Sequence, residues 1–454
     1  MSSHWFETAL LAPGWAAGVR FDIRDGRIAG LTSGVEPEPG DARHAAGLPG
    51  IGNLHSHAFQ RGMAGLAERR GPGADSFWTW RDVMYRFANS IGPDELEAIA
   101  ALAYAEMLES GFVQVGEFHY VHHDRGGAPF ADPAEMGARL AAAAAETGIG
   151  LTLLPVLYMT AGFGGVLPRA EQRRFVHDLD GYARLIDGSR SAIAPLAGGV
   201  VGIAPHSLRA VPPEALGEAV AIGAGGPVHI HIAEQTGEVE DCIAHRGARP
   251  VEWLLGHAPV DPRWCLVHAT HVTLAELAGI AASEAVAGLC PITEANLGDG
   301  IFPATDFAVL NGRFGVGSDS NVLIDLPQEL RSLEYSQRLA QRGRNLLSTP
   351  ERHSTGRALF EAAGQGGAQA LGMEGFGLVE GVRADFLTLD RDHPTLSGKE
   401  GDELIDALVF ADSRGMIDGV WRNGQEVVAN GRHVARDAIA ARYRRAMAEL
   451  AARL

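Results

Sequence analysis

The stretch Pro49–His57, with the sequence PGIGNLHSH, is an apolar run that ends in two histidines one residue apart. If the run forms a β-strand, the side chains of His55 and His57 lie on the same face, because side chains alternate between faces with a period of two. Two imidazoles at the end of a rigid strand can bind one metal ion. On its own such a pair is more often an ordinary pair of loop histidines, so its interpretation depends on the rest of the chain.

Three later apolar runs also end in polar side chains. These side chains are, in chain order, His231 and Glu234 in HIHIAE, His268 in VHAT and Asp319 in VGSDS. Four strand ends that carry histidines and carboxylates in this order indicate a shared site. His229 lies on the same face as His231 but deeper in its run, and a site is expected at the end of the strand, so His231 is the favoured ligand.

Between residues 47 and 373, short apolar runs alternate with helical stretches. The eight runs are Leu48–Leu54, Val113–Phe118, Gly150–Leu157, Gly199–Ala204, Pro227–Ile232, Trp264–Val267, Ala285–Cys290 and Arg313–Gly317. This alternation predicts an α/β fold, a (β/α)8 barrel of the TIM type, whose active site lies at the C-terminal ends of the strands. Two insertions, Gly62–Asn89 and Tyr158–Arg169, are predicted to form flaps over that site.

The two ends of the chain, residues 1–46 and 374–454, contain short strand-like runs separated by turn residues. They predict a small β-sandwich domain built from both chain ends, with a terminal helix at 438–454. The run Ala407–Phe410 is interpreted as one of its strands. The barrel domain would then occupy residues 47–373.

The composition is that of a globular protein, with 46% hydrophobic and 21% charged residues. The formal charge of −18 argues against a nucleic-acid partner, because binding phosphates requires a basic surface. No apolar stretch is long enough to span a bilayer, and Met1–Glu7 lacks the features of a signal peptide. The three cysteines are far apart and form no CxxC pair, so we expect a cytoplasmic protein without disulfides or membrane contacts.

The residues at the strand ends suit metal-assisted hydrolysis. The candidate ligands of one divalent ion, Zn²⁺ or else Fe²⁺, are His55, His57, His231 and Asp319. Such an ion lowers the pKa of a bound water from about 15.7 to about 7. Glu234 is the candidate general acid and base, His268 would orient the attacking water, and Asp319 could also accept its proton. The plainer alternatives are a surface carboxylate for Glu234 and a core histidine for His268.

One metal ion is expected rather than two. Binuclear barrel hydrolases of this general type commonly bridge their metals with a carboxylated lysine or a glutamate on the fourth strand. The fourth run here, Gly199–Ala204, contains neither residue, and the single lysine of the chain, Lys399, lies outside the barrel region.

These motifs resemble the amidohydrolase superfamily, and specifically its deaminase branch, over nearly the whole chain. Longer stretches resemble the formimidoylglutamate deiminase family of histidine degradation, and they are NLHSHAFQRGMAG at 53–65, SFWTWR at 76–81, EFHYVHHD at 117–124 and EANLGDGIFP at 294–303. That resemblance implies a homodimer that hydrolyses N-formimino-L-glutamate to N-formyl-L-glutamate and ammonia, a reaction at a carbon–nitrogen bond of a linear amidine.

A substrate with two carboxylates calls for cationic and hydrogen-bonding groups. Arg209 and Arg81 are the candidate cations, although surface ion pairing is the usual role of arginine. The other candidate substrate-binding residues, from the resemblance and from their position, are Gln60, Tyr120 and His206. Trp78 and Trp80 are expected to pack within the first flap.

Two other functions fit parts of the pattern. A mononuclear-metal deaminase of a purine base or an adenosine derivative would use the same metal site, but it would favour stacking groups over Arg81 and Arg209. A non-enzymatic barrel homologue would tend to lose metal ligands, and all of the expected ligands are present.

Overall fold

The computed structural model describes residues 2–70, 73, 76–412 and 414–453. Its strands are β1 (Ser2–Leu11), β2 (Gly14–Arg24), β3 (Arg27–Thr32), β4 (Ala42–Pro49), β5 (Ile51–Ser56), β6 (Phe112–His119), β7 (Gly150–Leu157), β8 (Val200–Val201), β9 (Ala204–Pro205), β10 (Val228–Ile232), β11 (Trp264–His268), β12 (Val286–Leu289), β13 (Arg313–Val316), β14 (Phe386–Leu389), β15 (Ile417–Arg422), β16 (Gln425–Ala429) and β17 (Arg432–His433).

Helices connect the strands between β5 and β14 and flank the last part of the chain. They are α1 (Phe77–Ser90), α2 (Pro93–Glu109), α3 (Glu135–Thr147), α4 (Leu179–Ile193), α5 (Pro213–Ile222), α6 (Thr236–Arg246), α7 (Pro250–His257), α8 (Leu274–Ala282), α9 (Pro291–Leu297), α10 (Ala304–Val309), α11 (Leu326–Gln341), α12 (Thr355–Ala370), α13 (Asp402–Phe410) and α14 (Arg436–Ala451). Short 3-10 helices occur at Ala58–Met63, Ala170–Gln172 and Pro394–Leu396. None of the described helices combines the length and apolar character needed to cross a bilayer.

Strands from both chain ends form one sheet of eight strands in the order β17-β16-β15-β14-β4-β1-β2-β3. The two ends meet where β4 pairs with β14, antiparallel, and with β1, parallel. Phe6, Phe21, Phe386 and Trp421 pack in an apolar core of this sheet. The small β domain expected from the sequence is therefore present, whereas its boundaries at residues 46 and 373 stay a prediction.

The strands β5 to β13 form the barrel. The parallel runs β5-β6-β7-β8 and β10-β11-β12-β13 are joined by isolated bridges. These are Ile203 to Val228 and Ser207 to His231 on one side and Ser56 to Asp319 on the other. The fourth predicted strand is interrupted, because β8 and β9 each contain two residues and both pair with β7. Helices follow the strands in alternation, so the predicted barrel is confirmed.

Two sequence interpretations differ from the structure. The run Leu48–Leu54 spans two strands, since β4 ends at Pro49 in the end sheet and β5 begins at Ile51 in the barrel. Gly50 permits the junction, because a Cβ atom there would lie 2.3 Å from a methyl group of Val113. The run Ala407–Phe410 is not a strand but the last part of α13, whose buried residues include Leu404 and Leu408 at helical spacing.

Candidate active site

Four side chains from the ends of barrel strands converge on one point. His55 lies near the end of β5, His57 directly after it, His231 on β10 and Asp319 beyond β13. One ligand atom from each lies within 4.8 Å of the others. The Nε2 atoms of His55 and His231 are 3.0 Å apart, and a carboxylate oxygen of Asp319 lies 3.4 Å from His55 Nε2 and 3.2 Å from His57 Nε2. We call these four residues the ligand cluster.

Hydrogen bonds behind the ligand cluster orient its rings. His57 Nδ1 lies 2.8 Å from the carbonyl oxygen of Phe118, and His231 Nδ1 lies 3.2 Å from the carbonyl oxygen of His206. A ring nitrogen that donates to a carbonyl leaves the other nitrogen as a lone-pair donor, so both Nε2 atoms can bind a cation. His229 faces elsewhere, because its Nε2 atom lies 2.8 Å from the carbonyl oxygen of Ala370.

The chemistry of the ligand cluster fits a divalent metal ion. Burial lowers the pKa of His55 to about 3 and holds the pKa of His57 and His231 below the ordinary value. The imidazoles are therefore neutral at pH 7, and several lone pairs and one carboxylate face each other. A bound cation relieves this repulsion, and three nitrogens with one oxygen form a donor set that zinc and other transition metals accept.

The backbone holds Asp319 firmly between the two histidines of the β5 end. The amide of Asp319 donates to the carbonyl of His55 at 2.9 Å, and the amide of His57 donates to the carbonyl of Asp319 at 2.9 Å. Asp319 and His268 both have positive φ angles, 44° and 67°. Such conformations are costly for residues other than glycine, and they persist at sites where the surrounding structure imposes them.

Glu234 and His268 lie next to the ligand cluster. His268 Nε2 is 3.8 Å from a carboxylate oxygen of Glu234 and 3.8 Å from one of Asp319, while its Nδ1 atom is 3.3 Å from Glu294. Burial raises the pKa of Glu234 to about 7. Burial alone would lower the pKa of His268, but the carboxylates of Glu234, Glu294 and Asp319 raise it to about 10. The pair combines a cationic ring with a carboxyl group that can take up or release a proton near neutrality.

The ligand cluster opens into a cavity. All five candidate substrate-binding residues line this cavity, and they are Gln60, Arg81, Tyr120, His206 and Arg209. Glu234 and His268 also line it, so the structure brings every site residue expected from the sequence into or next to one cavity.

The two arginines of the cavity have unused donors. The Nε atoms of Arg81 and Arg209 are buried and have no hydrogen-bond partner in the described part of the chain. The guanidinium of Arg81 lies 4.5 Å from the ring of Trp78 and 5.5 Å from that of Tyr85, both on its own helix. Because such buried donors are costly when unpaired, they fit an anionic ligand.

Gln60 and Tyr120 form a second polar pair in the cavity. Gln60 Nε2 donates to the Tyr120 hydroxyl at 2.8 Å, while Gln60 Oε1 is buried without a partner among the described residues. Trp80 also lines the cavity, so it does more than pack within the first insertion as expected from the sequence.

Sequence reasoning missed three aromatic residues in or just after the two insertions. Tyr85, Tyr158 and Phe175 line the cavity, and Gln172 lies directly behind the two tyrosines. Tyr158 directly follows β7, so the rule that site residues follow strand ends could have identified it. Tyr85 lies one helical turn after Arg81 on α1, a spacing that places both side chains on one face.

Known proteins match this chain over its whole length. The sequence profile of the amidohydrolase family matches residues 47–427, and that of the N-terminal domain of formimidoylglutamate deiminase HutF matches residues 4–45. The chain belongs to the amidohydrolase family. The resemblance seen in the sequence is thereby confirmed, and the match to the N-terminal domain extends it to residues for which no resembling stretch was identified.

Individual known proteins differ in how closely they resemble the chain. The formimidoylglutamate deiminase of Pseudomonas aeruginosa is 49% identical over 99% of this chain and 100% of its own. The crystal structure of an amidohydrolase from Brucella melitensis is 51% identical and superimposes with a TM-score of 0.96 over 99% of this chain and 100% of its own. The 8-oxoguanine deaminase of Pseudomonas aeruginosa is 28% identical over 93% and 94% of the two chains.

Proposed function

We propose that this protein hydrolyses N-formimino-L-glutamate to N-formyl-L-glutamate and ammonia. The observation that carries the proposal is one cavity that joins the ligand cluster to two arginines, Arg81 and Arg209, neither of which forms an ion pair with a described residue. A substrate with a hydrolysable amidine and two carboxylates matches both features. The formimidoylglutamate deiminase of Pseudomonas aeruginosa, 49% identical over its full length, supports the same substrate.

One zinc ion is the proposed occupant of the ligand cluster. Three neutral imidazoles and one carboxylate favour zinc, with ferrous iron as the alternative. When bound, such an ion supplies Lewis acidity and lowers the pKa of water. No second metal is proposed, because β8 and β9 carry no lysine or glutamate that could bridge two ions.

The proton transfers are assigned to residues of the chain. Water adds to the formimino carbon, and both of its protons end on the terminal nitrogen. The first comes from the attacking water and the second from the hydroxyl of the resulting tetrahedral adduct. As that hydroxyl becomes the formyl C=O, the bond from the carbon to the terminal nitrogen breaks and the nitrogen leaves as ammonia. Glu234 accepts a proton from the attacking water and delivers it to the departing nitrogen, a role that suits a carboxyl whose pKa is about 7. His268 orients the attacking water. Asp319 would bind the metal ion and could also accept a proton of that water.

The substrate carboxylates are assigned to the donors that line the cavity. Arg81 and Arg209 are proposed to bind them as ion pairs. The remaining polar contacts are proposed to come from Gln60, Tyr120 and His206. His206 is neutral in this role, because burial lowers its pKa well below the ordinary value and the nearby Arg209 lowers it further.

Ammonia release from N-formimino-L-glutamate by the zinc-loaded protein tests the proposal, with guanine and adenosine as competing substrates. We expect release from the formimino compound and a large loss of it in the Glu234→Gln variant. Release from a purine alone would overturn the assignment of the arginines while leaving the metal site in place. A lack of release from all three, with zinc bound, would overturn the proposed reaction.

A cytoplasmic homodimer is also proposed. The three cysteines are buried and free, which is compatible with a reducing compartment. The dimer is implied by the resemblance to the family, and light scattering of the purified protein tests it: a monomer mass would contradict it.

A further inference from the structure

Gln172 lies at the centre of a hydrogen-bond network between the two insertions. The residue is 2% exposed. Its Oε1 atom accepts from the backbone amide of Arg169 at 2.9 Å, and its Nε2 atom lies 2.6 Å from the Tyr158 hydroxyl and 3.1 Å from the Tyr85 hydroxyl. Because a backbone amide can only donate, Oε1 must be the atom that faces it, and the orientation of the carboxamide is fixed.

The fixed carboxamide determines what the two tyrosines can do. Nε2 carries two hydrogens, so the hydroxyl oxygens of Tyr85 and Tyr158 both act as acceptors towards Gln172. Each phenol keeps one hydrogen of its own. The two hydroxyls also interact with each other, an arrangement that uses one of these hydrogens at most. At least one phenolic hydrogen is left, and among the described residues neither hydroxyl has a partner besides Gln172 and the other tyrosine.

Both tyrosines line the cavity, so the remaining hydrogen is available to a ligand bound there. Arg81 lies over the ring of Tyr85, and Arg209 and Arg81 both lie close enough to Tyr158 to act on its charge. Burial raises the pKa of Tyr158, so its hydroxyl is neutral and keeps its hydrogen at pH 7. A phenolic donor beside two guanidinium groups completes the coordination of a carboxylate, since each carboxylate oxygen accepts more than one hydrogen bond.

We propose that Gln172 is a positioning residue for substrate specificity, which holds Tyr85 and Tyr158 as hydrogen-bond acceptors and so directs a phenolic hydrogen onto one substrate carboxylate. This inference rests on the proposed dicarboxylate substrate. It assigns a binding role to the tyrosines of α1 and of the segment after β7. It also couples the two insertions, because the same carboxamide bonds to both of them.

Asn89 provides a matched control for a purely structural role. Its Nδ2 atom donates to the carbonyl of Glu171 at 2.8 Å and to the backbone carbonyl of Tyr85 on its own helix at 2.8 Å, so it also ties α1 to the short helix that contains Gln172 without contacting either tyrosine hydroxyl. It does not line the cavity. The Asn89→Ala variant therefore loosens the same junction without changing the hydrogen bonds of the tyrosine hydroxyls.

The test compares Gln172→Leu, Tyr85→Phe/Tyr158→Phe, the triple variant and Asn89→Ala. We expect Gln172→Leu to raise KM for N-formimino-L-glutamate and Kd for glutarate by about 10- to 100-fold, the effect of losing a hydrogen bond to a charged group, with zinc content and kcat little changed. KM and Kd of the triple variant should equal those of the Tyr85→Phe/Tyr158→Phe variant, because Gln172 acts only through the two tyrosines. Two formimino analogues each lack one of the two carboxylates. Gln172→Leu should leave KM unchanged for the analogue that lacks the carboxylate bound by the phenol, and should raise KM for the other.

An equal effect of Asn89→Ala, or a Gln172→Leu effect of the same size on both analogues, would overturn the inference in favour of a structural role. An additive effect in the triple variant would overturn it too. Glutarate binding tests the positioning role of Gln172 independently of the proposed reaction. If the parent protein binds glutarate but releases no ammonia, and Gln172→Leu weakens that binding, the reaction fails and the positioning role stands. If the parent turns the substrate over and Gln172→Leu changes nothing, the positioning role fails alone.

Discussion

The ligand cluster and the residues in and next to the two insertions are held in place by different means. His55, His57, His231 and Asp319 lie at the ends of barrel strands, where the backbone hydrogen bonds of the sheet fix them. Arg81, Tyr85, Tyr158 and Gln172, which we call the insertion group, lie in segments between strands and depend on a few side-chain contacts. Changes in the ligand cluster should therefore abolish the reaction, whereas changes in the insertion group should alter which substrates bind.

The largest effect is expected from removing a ligand. His231→Gln should lose the metal ion and lower kcat/KM by more than about 100-fold, because even groups that only orient metal ligands contribute about 10- to 100-fold. Metal content by mass spectrometry and ammonia release measure both effects. His229→Gln on the same strand should keep its metal, since His229 bonds to the carbonyl of Ala370 instead. Metal loss in His229→Gln alone would reverse the assignment of the two histidines.

Glu234→Gln should separate metal binding from proton transfer. We expect kcat to fall by about 10²- to 10⁴-fold, the usual contribution of a general acid or base, with the metal retained. Glu240→Gln, an exposed position on α6, is the control and should behave like the parent. A Glu234→Gln variant with nearly full kcat would exclude Glu234 from the proton transfers.

Arg81→Ala tests the insertion group directly. KM for N-formimino-L-glutamate should rise by about 10- to 100-fold, because an ion-paired hydrogen bond to a carboxylate is lost, and kcat should fall much less. Arg86→Ala changes an exposed arginine on the same helix and serves as the control. A fall in kcat without a rise in KM would contradict the proposed division between the two groups of residues.

The smallest effect concerns Glu117, which supports the loop of the ligand cluster from behind. Its carboxylate accepts from the Ala58 amide at 2.7 Å and the Ser56 hydroxyl at 3.0 Å, and burial raises its pKa from 4.5 to about 8. The folded protein thus holds a proton that the unfolded chain releases between about pH 4.5 and 8. The free energy of unfolding should fall as pH rises through that window, by a few kcal/mol at most.

Thermal unfolding of the Glu117→Gln variant at pH 5 and pH 8 checks this linkage. The carboxamide introduced by this substitution carries no titratable proton, so the fall in melting temperature between the two pH values should be smaller than in the parent by a few degrees. An identical fall in both proteins would show that the Glu117 carboxyl does not carry the effect.

The ligand cluster was predictable from sequence, and the insertion group was only partly so. His55, His57 and Asp319 follow apolar runs, and the strand-end rule of the barrel places such residues together whatever the rest of the chain does. Gln172 and Tyr85 face each other only because two insertions pack together, and no local pattern encodes that contact. Arg81 was identified through resemblance to a family rather than through its spacing.

Short apolar runs were the other source of error. The run Ala407–Phe410 contains four residues, too few to distinguish the period of a strand from that of a helix, and it belongs to α13. The run Leu48–Leu54 crosses from one sheet to another at Gly50, where the backbone, rather than any change in hydrophobicity, marks the boundary. Both cases required long-range contacts to resolve.

The eight-stranded sheet built from both chain ends has a consequence for synthesis on the ribosome. Phe386 in β14 is translated more than 300 residues after Pro49 in β4, its partner in the sheet. At about 5–20 residues per second this takes roughly 15–60 s, during which one edge of β4 has no partner. An unpaired edge beside the aromatic side chains of Phe6 and Phe21 is prone to association with other nascent chains. Slower translation therefore lengthens the exposure of this edge, and chaperones that act on nascent chains should improve the yield of the protein.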